Sequence, residues 1–210
     1  MKKRFNLRFA LYLTAALAVA GTATHFLHAY QVGRTAGAML DRATRVEDEG
    51  RLDQAADYLG RYVSLRPDDL DALARYGNLL ADDRLATSGR AKYQALGVLN
   101  KVLYRDPQRH DVRRQVARLS VALGLYGDAR VDLDRLLKGA FPSDGELEKL
   151  RGVCREAAGE HEKARDDYEA AVRDAPHDLE AYARLAALLR AHTQEVLRSK
   201  GKTREAPAEV

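Results

Sequence analysis

The side chains with the most chemistry to offer are Cys154 and the histidines His110, His161, His177 and His192. A thiolate beside an imidazole makes a nucleophile, and histidines at helical spacing with a third donor hold zinc. Neither arrangement can be read in the chain. The four histidines fall near helix ends or turns with no Ser, Cys or carboxylate at a recurring offset, and there is no HExxH run and no glycine-rich phosphate loop, so no catalytic signature is present. Cys154 is the only cysteine, which excludes an intramolecular disulfide and a cysteine-built zinc site. Its setting reads as a small buried residue of a helix. His25 and His28 lie one turn apart without a third ligand in view and read as interfacial histidines rather than a metal or haem face. The sequence calls for no cofactor and no enzyme activity.

Charge is the other source of chemistry. The formal net charge of +4 belongs entirely to Lys2, Lys3, Arg4 and Arg8, because residues 31–210 hold 31 basic and 31 acidic side chains. A nucleic-acid footprint therefore lacks its first requirement, a basic domain. Composition rich in Ala, Leu, Arg and Glu, with no tryptophan and only five prolines, points to an all-helical chain.

The four cations of residues 1–8 precede residues 9–29, FALYLTAALAVAGTATHFLHA, which contain no Asp, Glu, Lys or Arg. That is long enough to span a bilayer as a helix. Positive charges before it and none inside place the N-terminal segment 1–8 in the cytoplasm, residues 9–30 in the membrane as a single-pass signal-anchor and everything later on the extracytoplasmic side. Tyr30 suits the far interfacial belt. Ala18-Val19-Ala20 before Gly21 also satisfies a cleavage site, which would release an exported soluble protein. Ala16, Ala20 and Thr24 form a small-residue row on which two anchors could pack.

Beyond residue 30 the organising stretch is Gly159 to Asp178. Gly159 ends a helix, Ala164, Tyr168, Ala171 and Val172 form the apolar stripe of the next, and Pro176 stops it. The spacing recurs upstream: Gly50, Ala55, Leu59, Tyr62, Val63 and Pro67; Gly89, Ala95, Leu99, Val102, Leu103 and Pro107; Gly124, Ala129, Leu133, Leu136, Leu137 and, one place late, Pro142. The alanines are 40, 34 and 35 residues apart, a period near 34 with an insertion of about six in the second copy, within residues 82–94, where Ser88-Gly89 marks a turn and the extra residues read as a longer inter-helix loop plus an extended start to the next helix. A unit of this kind cannot bury its stripe alone and stacks on its neighbours. One further helix, Leu179 to about Thr193, follows, and residues 194–210 lack a helical stripe and read as a disordered tail.

These residues resemble the tetratricopeptide repeat family. Leu73, Tyr76-Gly77 and Leu80 match the first-helix half of its pattern in repeat two, and Tyr182, Leu185-Ala186 and Leu189 match it in a fifth unit. Small residues at Gly77, Ala117, Gly152 and Ala186 would let adjacent helices approach closely. The resemblance covers residues 36 to 192 and departs from the pattern where Arg151 replaces the usual leucine, where repeat three lacks the aromatic position and where repeat one begins imperfectly. It implies an all-α, right-handed superhelical solenoid of about four hairpins plus one helix over residues 31–193, after the N-terminal transmembrane helix. It also implies a concave groove, lined by the first helices, that binds a protein or peptide segment. Family positions nominate Asp71, Asn78, Asp111, Arg114, Arg118, Glu146, Lys149, Glu180 and Arg190 as groove residues. The cluster Arg113, Arg114, Gln115 and Arg118 is suited to a carboxylate ligand, and only Asn78 matches the family's carboxylate clamp. The implied protein is a membrane-anchored interaction scaffold. A self-associating homodimer through the last helix or the anchor is the alternative. An envelope polysaccharide ranks last, for want of exposed aromatics.

Overall fold

The computed structural model describes the backbone of residues 7–205 and the side chains of residues 11–198 apart from 15, 29 and 195. All described secondary structure is helical: α1 (Leu7–Asp48), α2 (Leu52–Leu65), α3 (Leu70–Leu80), α4 (Gly89–Arg105), α5 (His110–Ala122), α6 (Tyr126–Lys138), α7 (Gly145–Ala157), α8 (His161–Asp174) and α9 (Leu179–Glu205). The chain divides into two compact units, one up to Tyr76 and one from Gly77 onward, so the boundary falls within α3.

In the first unit α1 runs unbroken for 42 residues. The expected anchor and the first helix of repeat one are thus a single helix, because no proline interrupts residues 7–48. Among the described residues no helix is long and apolar enough to cross a membrane. Positions 9, 10, 15 and 29 of the expected span have side chains outside them, and residues 1–6, most of the expected cytoplasmic segment, lie outside them altogether. The C-terminal part of α1 buries Ala36, Ala43 and Val46, and α2 buries Leu52, Ala55, Leu59 and Tyr62, the stripe read from the sequence. Tyr62 donates from its hydroxyl to Asp69 at 2.6 Å. Asp69 in turn accepts from the backbone N–H of Ala72 at 2.9 Å, and these two bonds, the backbone one first, hold its carboxyl below the usual range.

The second unit repeats this construction. Gly50, Gly124 and Gly159 have φ of 76°, 75° and 74°. After each, the next N–H reaches back five residues, Arg51 to Val46, Leu125 to Ser120 and Glu160 to Arg155, which is the glycine-ended helix stop of the Schellman type. Alanine at Gly50, Gly124 or Gly159 is expected to lower the unfolding free energy by about 1 kcal/mol in urea melts, because a Cβ is strained at that φ. Gly89 does not close a helix as those three do: it opens α4, behind Ser88, whose hydroxyl accepts from the Ala91 N–H at 3.2 Å, in keeping with a turn at Ser88-Gly89 and an extended helix start. Within the expected insertion, residues 82–88 are an inter-helix loop in which Asp82 takes two bonds from the Arg84 guanidinium, each 2.9 Å, and Ala86 is buried, and residues 89–94 are the first turns of α4.

A Cβ at Gly77 would lie 2.5 Å from Leu99, and one at Gly152 2.5 Å from the Tyr168 ring. Both glycines are therefore the close-approach positions the repeat requires. Ala117 is fully buried, whereas Ala186 on α9 is exposed, since no described helix follows α9 to cover it. α9 continues to Glu205 where a structureless tail was expected from residue 194. No proline occurs between Pro176 and Pro207, and Gln194 to Arg198 contain good helix formers. Residues 206–210 of that tail lie outside the described residues.

Candidate partner-binding groove

α5 and α7 bring three of the nominated residues together. Arg114 on α5 pairs with Asp144 and, at 3.4 Å, with Glu146, while its guanidinium lies 4.6 Å from the centroid of the Phe141 ring. Asp144 is also the N-cap of α7, accepting from the Leu147 N–H at 3.1 Å. Arg114 therefore supports a helix start and is half-shielded. Arg118, one turn on, pairs with Glu146 and donates to Gln115 at 3.3 Å, with 43% of its side chain exposed.

α7 and α9 bring two more together. Lys149 lies 2.7 Å from Asp178 and 2.9 Å from Glu180. Burial opposes the charge of its ammonium, and the hydrogen bonds to Asp178 and Glu180 outweigh it, so its pKa rises. The same contact lowers the Glu180 carboxyl. Arg184 extends this chain, 3.3 Å from Glu180 and 4.0 Å from Glu156.

The remaining nominees stand apart from these two clusters. Asp111 pairs with Arg109 at 3.3 Å at the start of α5, Arg190 donates to the Ala186 carbonyl of its own helix at 3.1 Å, and Asn78 is exposed on α3. Asp71, also exposed, belongs to the first unit.

The basic cluster is divided. Arg113 is 4% exposed, bonded to Asp132 at 2.5 Å and to the Pro107 carbonyl at 2.7 Å, so it points into the packed interior and not into the groove. The reason is angular: neighbours in a helix are 100° apart, and Arg113 shares the buried face with Val112 and Val116. Sequence reasoning missed a second interior network. Arg151 bonds Asp167 at 2.7 Å and Asp134 at 3.3 Å, and Arg155 approaches Asp167 at 2.9 Å. Arg151's occupation of a leucine place in the repeat pattern was the available signal.

A cleft of about 350 Å³ lies between the α3–α4 loop, Lys92 of α4 and the face of α5, with Glu146 of α7 at its edge; Lys92, Arg118, Gln115, Asp83 and Glu146 present polar groups, and Ala81, Leu119 and Ala122 are its apolar lining. A second cavity of about 200 Å³ lies between α8 and α9 and brings His161 and His192 beside Glu156 and Glu162. Burial pushes the Cys154 thiol up to about 11, which keeps it protonated and weakly nucleophilic at neutral pH.

Solved structures share this fold. MamA from Desulfovibrio magneticus RS-1, residues 41 to the end, superposes with a TM-score of 0.67 at 19% identity, over 81% of this chain and 92% of that one. A tetratricopeptide repeat protein from Parabacteroides merdae ATCC 43184 does so with a TM-score of 0.62 at 19% identity, over 79% of this chain and 64% of that one. The fold is of the tetratricopeptide-repeat type. Another MamA structure matches with a TM-score of 0.62 at 17% identity, over 85% of this chain and 99% of the other. No protein-family model and no curated protein matches the sequence. In the repeat fold the first helices α5, α7 and α9 carry the clusters above, so the groove assignment rests on these side chains.

Proposed function

We propose that this chain is a non-enzymatic interaction scaffold that holds a protein or peptide segment in the cleft between the α3–α4 loop, α4 and α5, beside Glu146 of α7. The observation that carries the reading is the cleft of about 350 Å³ itself, one wall of which is α5, a first helix of the repeat fold. Lys92 and Arg118 suit a carboxylate of the ligand, and Gln115 and Glu146 suit its backbone or a basic neighbour. Arg114 is a poor probe, because it braces the α7 N-cap. Lys92→Glu with Arg118→Glu is the better one, since both side chains line the cleft. A crosslinking pull-down from intact membranes is expected to recover a protein partner with the parent chain and to lose it with the double variant. Recovery that is equal for both would refute the cleft.

The reading includes a tether: residues 9–30 insert in the membrane with the repeats on its extracytoplasmic side. In support, residues 9–29 carry no charge, and Leu11, Tyr12, Leu13, Leu17, Val19, Phe26, Leu27 and Tyr30 are all exposed on α1. An α-helix of 21 residues is about 31 Å long, a bilayer core's thickness. Protease added outside intact spheroplasts should digest the repeats, and N-terminal sequencing should find Met1 or Lys2. A mature start at Gly21 would instead mean an exported, untethered protein. Self-association would use the exposed Leu179, Tyr182 and Leu189 of α9, and light scattering of the detergent-solubilised chain tests it.

A further inference from the structure

α4 differs in charge from every other described helix: it carries Arg90, Lys92, Lys101 and Arg105 and no acidic residue. Among the described residues no ion pair engages Arg90, Lys92 or Lys101, whereas the groove cations Arg114, Arg118 and Lys149 already have carboxylate partners. Its buried residues, Ala95, Leu96, Leu99 and Val102, face the core. On the opposite side Arg90, Tyr93, Gly97, Lys101 and Tyr104 follow one another at steps of three and four. At 100° per residue they fall within an arc of about 80° and along about 21 Å of helix. Tyr93 is 53% exposed and Tyr104 89% exposed. Nothing lies within 4 Å of where a Cβ on Gly97 would stand.

Two large aromatic rings flanking bare backbone, with unpaired cations alongside, form a helix-packing seam of positive charge. The aromatics would be anchors and the cations would select the partner's sign. A second copy's α4 is excluded as occupant by like charge. The outer acids of α8, Glu162, Asp166 and Glu169, already share Arg165 at 3.0, 3.6 and 3.6 Å. A bilayer is disfavoured, because Leu96, Leu99 and Val102 of α4 are committed to the core and Val98 and Leu103 are half-buried, leaving no aliphatic side chain on the outer face to insert. We propose that this face of α4 is a docking surface for an acidic helical segment of a partner protein, whose carboxylates meet Arg90 and Lys101 and whose backbone crosses close to Gly97. It is separate from the cleft, which shares only Lys92 with α4.

The probe is a labelled helical peptide with leucines at heptad positions a and d and glutamates at e and g, titrated by fluorescence anisotropy against the full-length chain in detergent. Saturable binding is expected, weakening with added salt. Arg90→Glu with Lys101→Glu should weaken it at least about tenfold, as should Tyr104→Ala. Gly97→Leu should also weaken it while raising Tm, since leucine favours helix and the site is open; a merely structural effect would not move the two in that direction. Arg118→Glu, at a residue that lines the cleft from α5, should leave peptide binding nearly unchanged, which separates this proposal from the cleft. The proposal is overturned if the peptide fails to bind, or if it binds the Arg90→Glu, Lys101→Glu chain as tightly as the parent. Flotation with phosphatidylglycerol vesicles, or a dimer mass in light scattering, that the same two substitutions abolish while the peptide does not bind would assign the face to lipid or to a second copy and equally overturn it.

Discussion

Arg151→Leu, which would install the leucine usual at that place in the repeat pattern, is expected to lower the unfolding free energy by about 3 kcal/mol in urea melts at neutral pH. Leucine would add apolar burial, but Asp167 is 2% exposed and would keep only Arg155 at 2.9 Å. Stranding most of a buried carboxylate's compensation costs more than one leucine returns. Arg151→Leu combined with Asp167→Leu should recover most of the loss, because removing a buried pair together is nearly neutral. An additive double-mutant cycle would show that the pair is not coupled.

The pH dependence of the single variant follows from burial. Burial lifts the Asp167 carboxyl above its ordinary value, against the bonds from Arg151 and the charge of Arg155, and burial likewise lifts Glu148, whose Oε2 has no partner. An acid whose folded pKa exceeds its unfolded one binds protons more tightly when folded. Its folded state is therefore favoured below the unfolded pKa and loses that advantage as pH rises through the folded value. Without Arg151 the Asp167 carboxyl shifts further upward. The cost of Arg151→Leu should then shrink toward pH 4 and be fully expressed at pH 7, and a cost independent of pH would contradict the assignment.

The second large effect is expected at the contact of α7 with α8. Tyr168→Ala should cost about 3–5 kcal/mol, since Tyr168 is fully buried and its ring fills the space left by Gly152. Tyr168→Phe should cost about 1 kcal/mol, the worth of the hydroxyl's 2.6 Å bond to Glu156. From the other side, Gly152→Val would place a Cβ 2.5 and 2.7 Å from two ring carbons, an overpacking cost of about 3 kcal/mol. Tyr168→Leu should relieve Gly152→Val, so that the double variant is more stable than the sum of the two losses predicts. Thermal melts of all four proteins test this, and strict additivity would mean that the two residues do not meet.

Much of the fold was legible because its elements are signalled locally. Gly50, Gly124 and Gly159 stop helices, and Ala164, Tyr168 and Ala171 repeat at helical spacing and are buried together. Gly89 sits at the same place in the repeat but opens a helix behind a serine cap, as the Ser88-Gly89 turn signal allowed. The tail misled because absence of an apolar stripe argues against packing, not against helix. Of the groove nominees, Arg114, Arg118 and Glu146 do converge and Lys149 meets Glu180, yet which carboxylate each cation meets, Asp144 and Asp178 included, was not legible in the sequence. Missing from the reading was the α4 face, whose tyrosines and cations lie on a helix otherwise identified by its packing residues.

The sequence by itself determined the repeat, its period, the helix stops, the stripe of each second helix and the uncharged run before them, since these depend on neighbours within about one helical turn. Only the tertiary structure decided which charges meet. Arg113 and Arg114 are adjacent in the chain, but one is buried against Asp132 and the other lies over Phe141 beside Asp144. Their partners stand 19 and 30 residues away. A rotation of 100° about the helix axis sends the two side chains to different neighbours, and the packing of one hairpin on the next sets which carboxylate waits there.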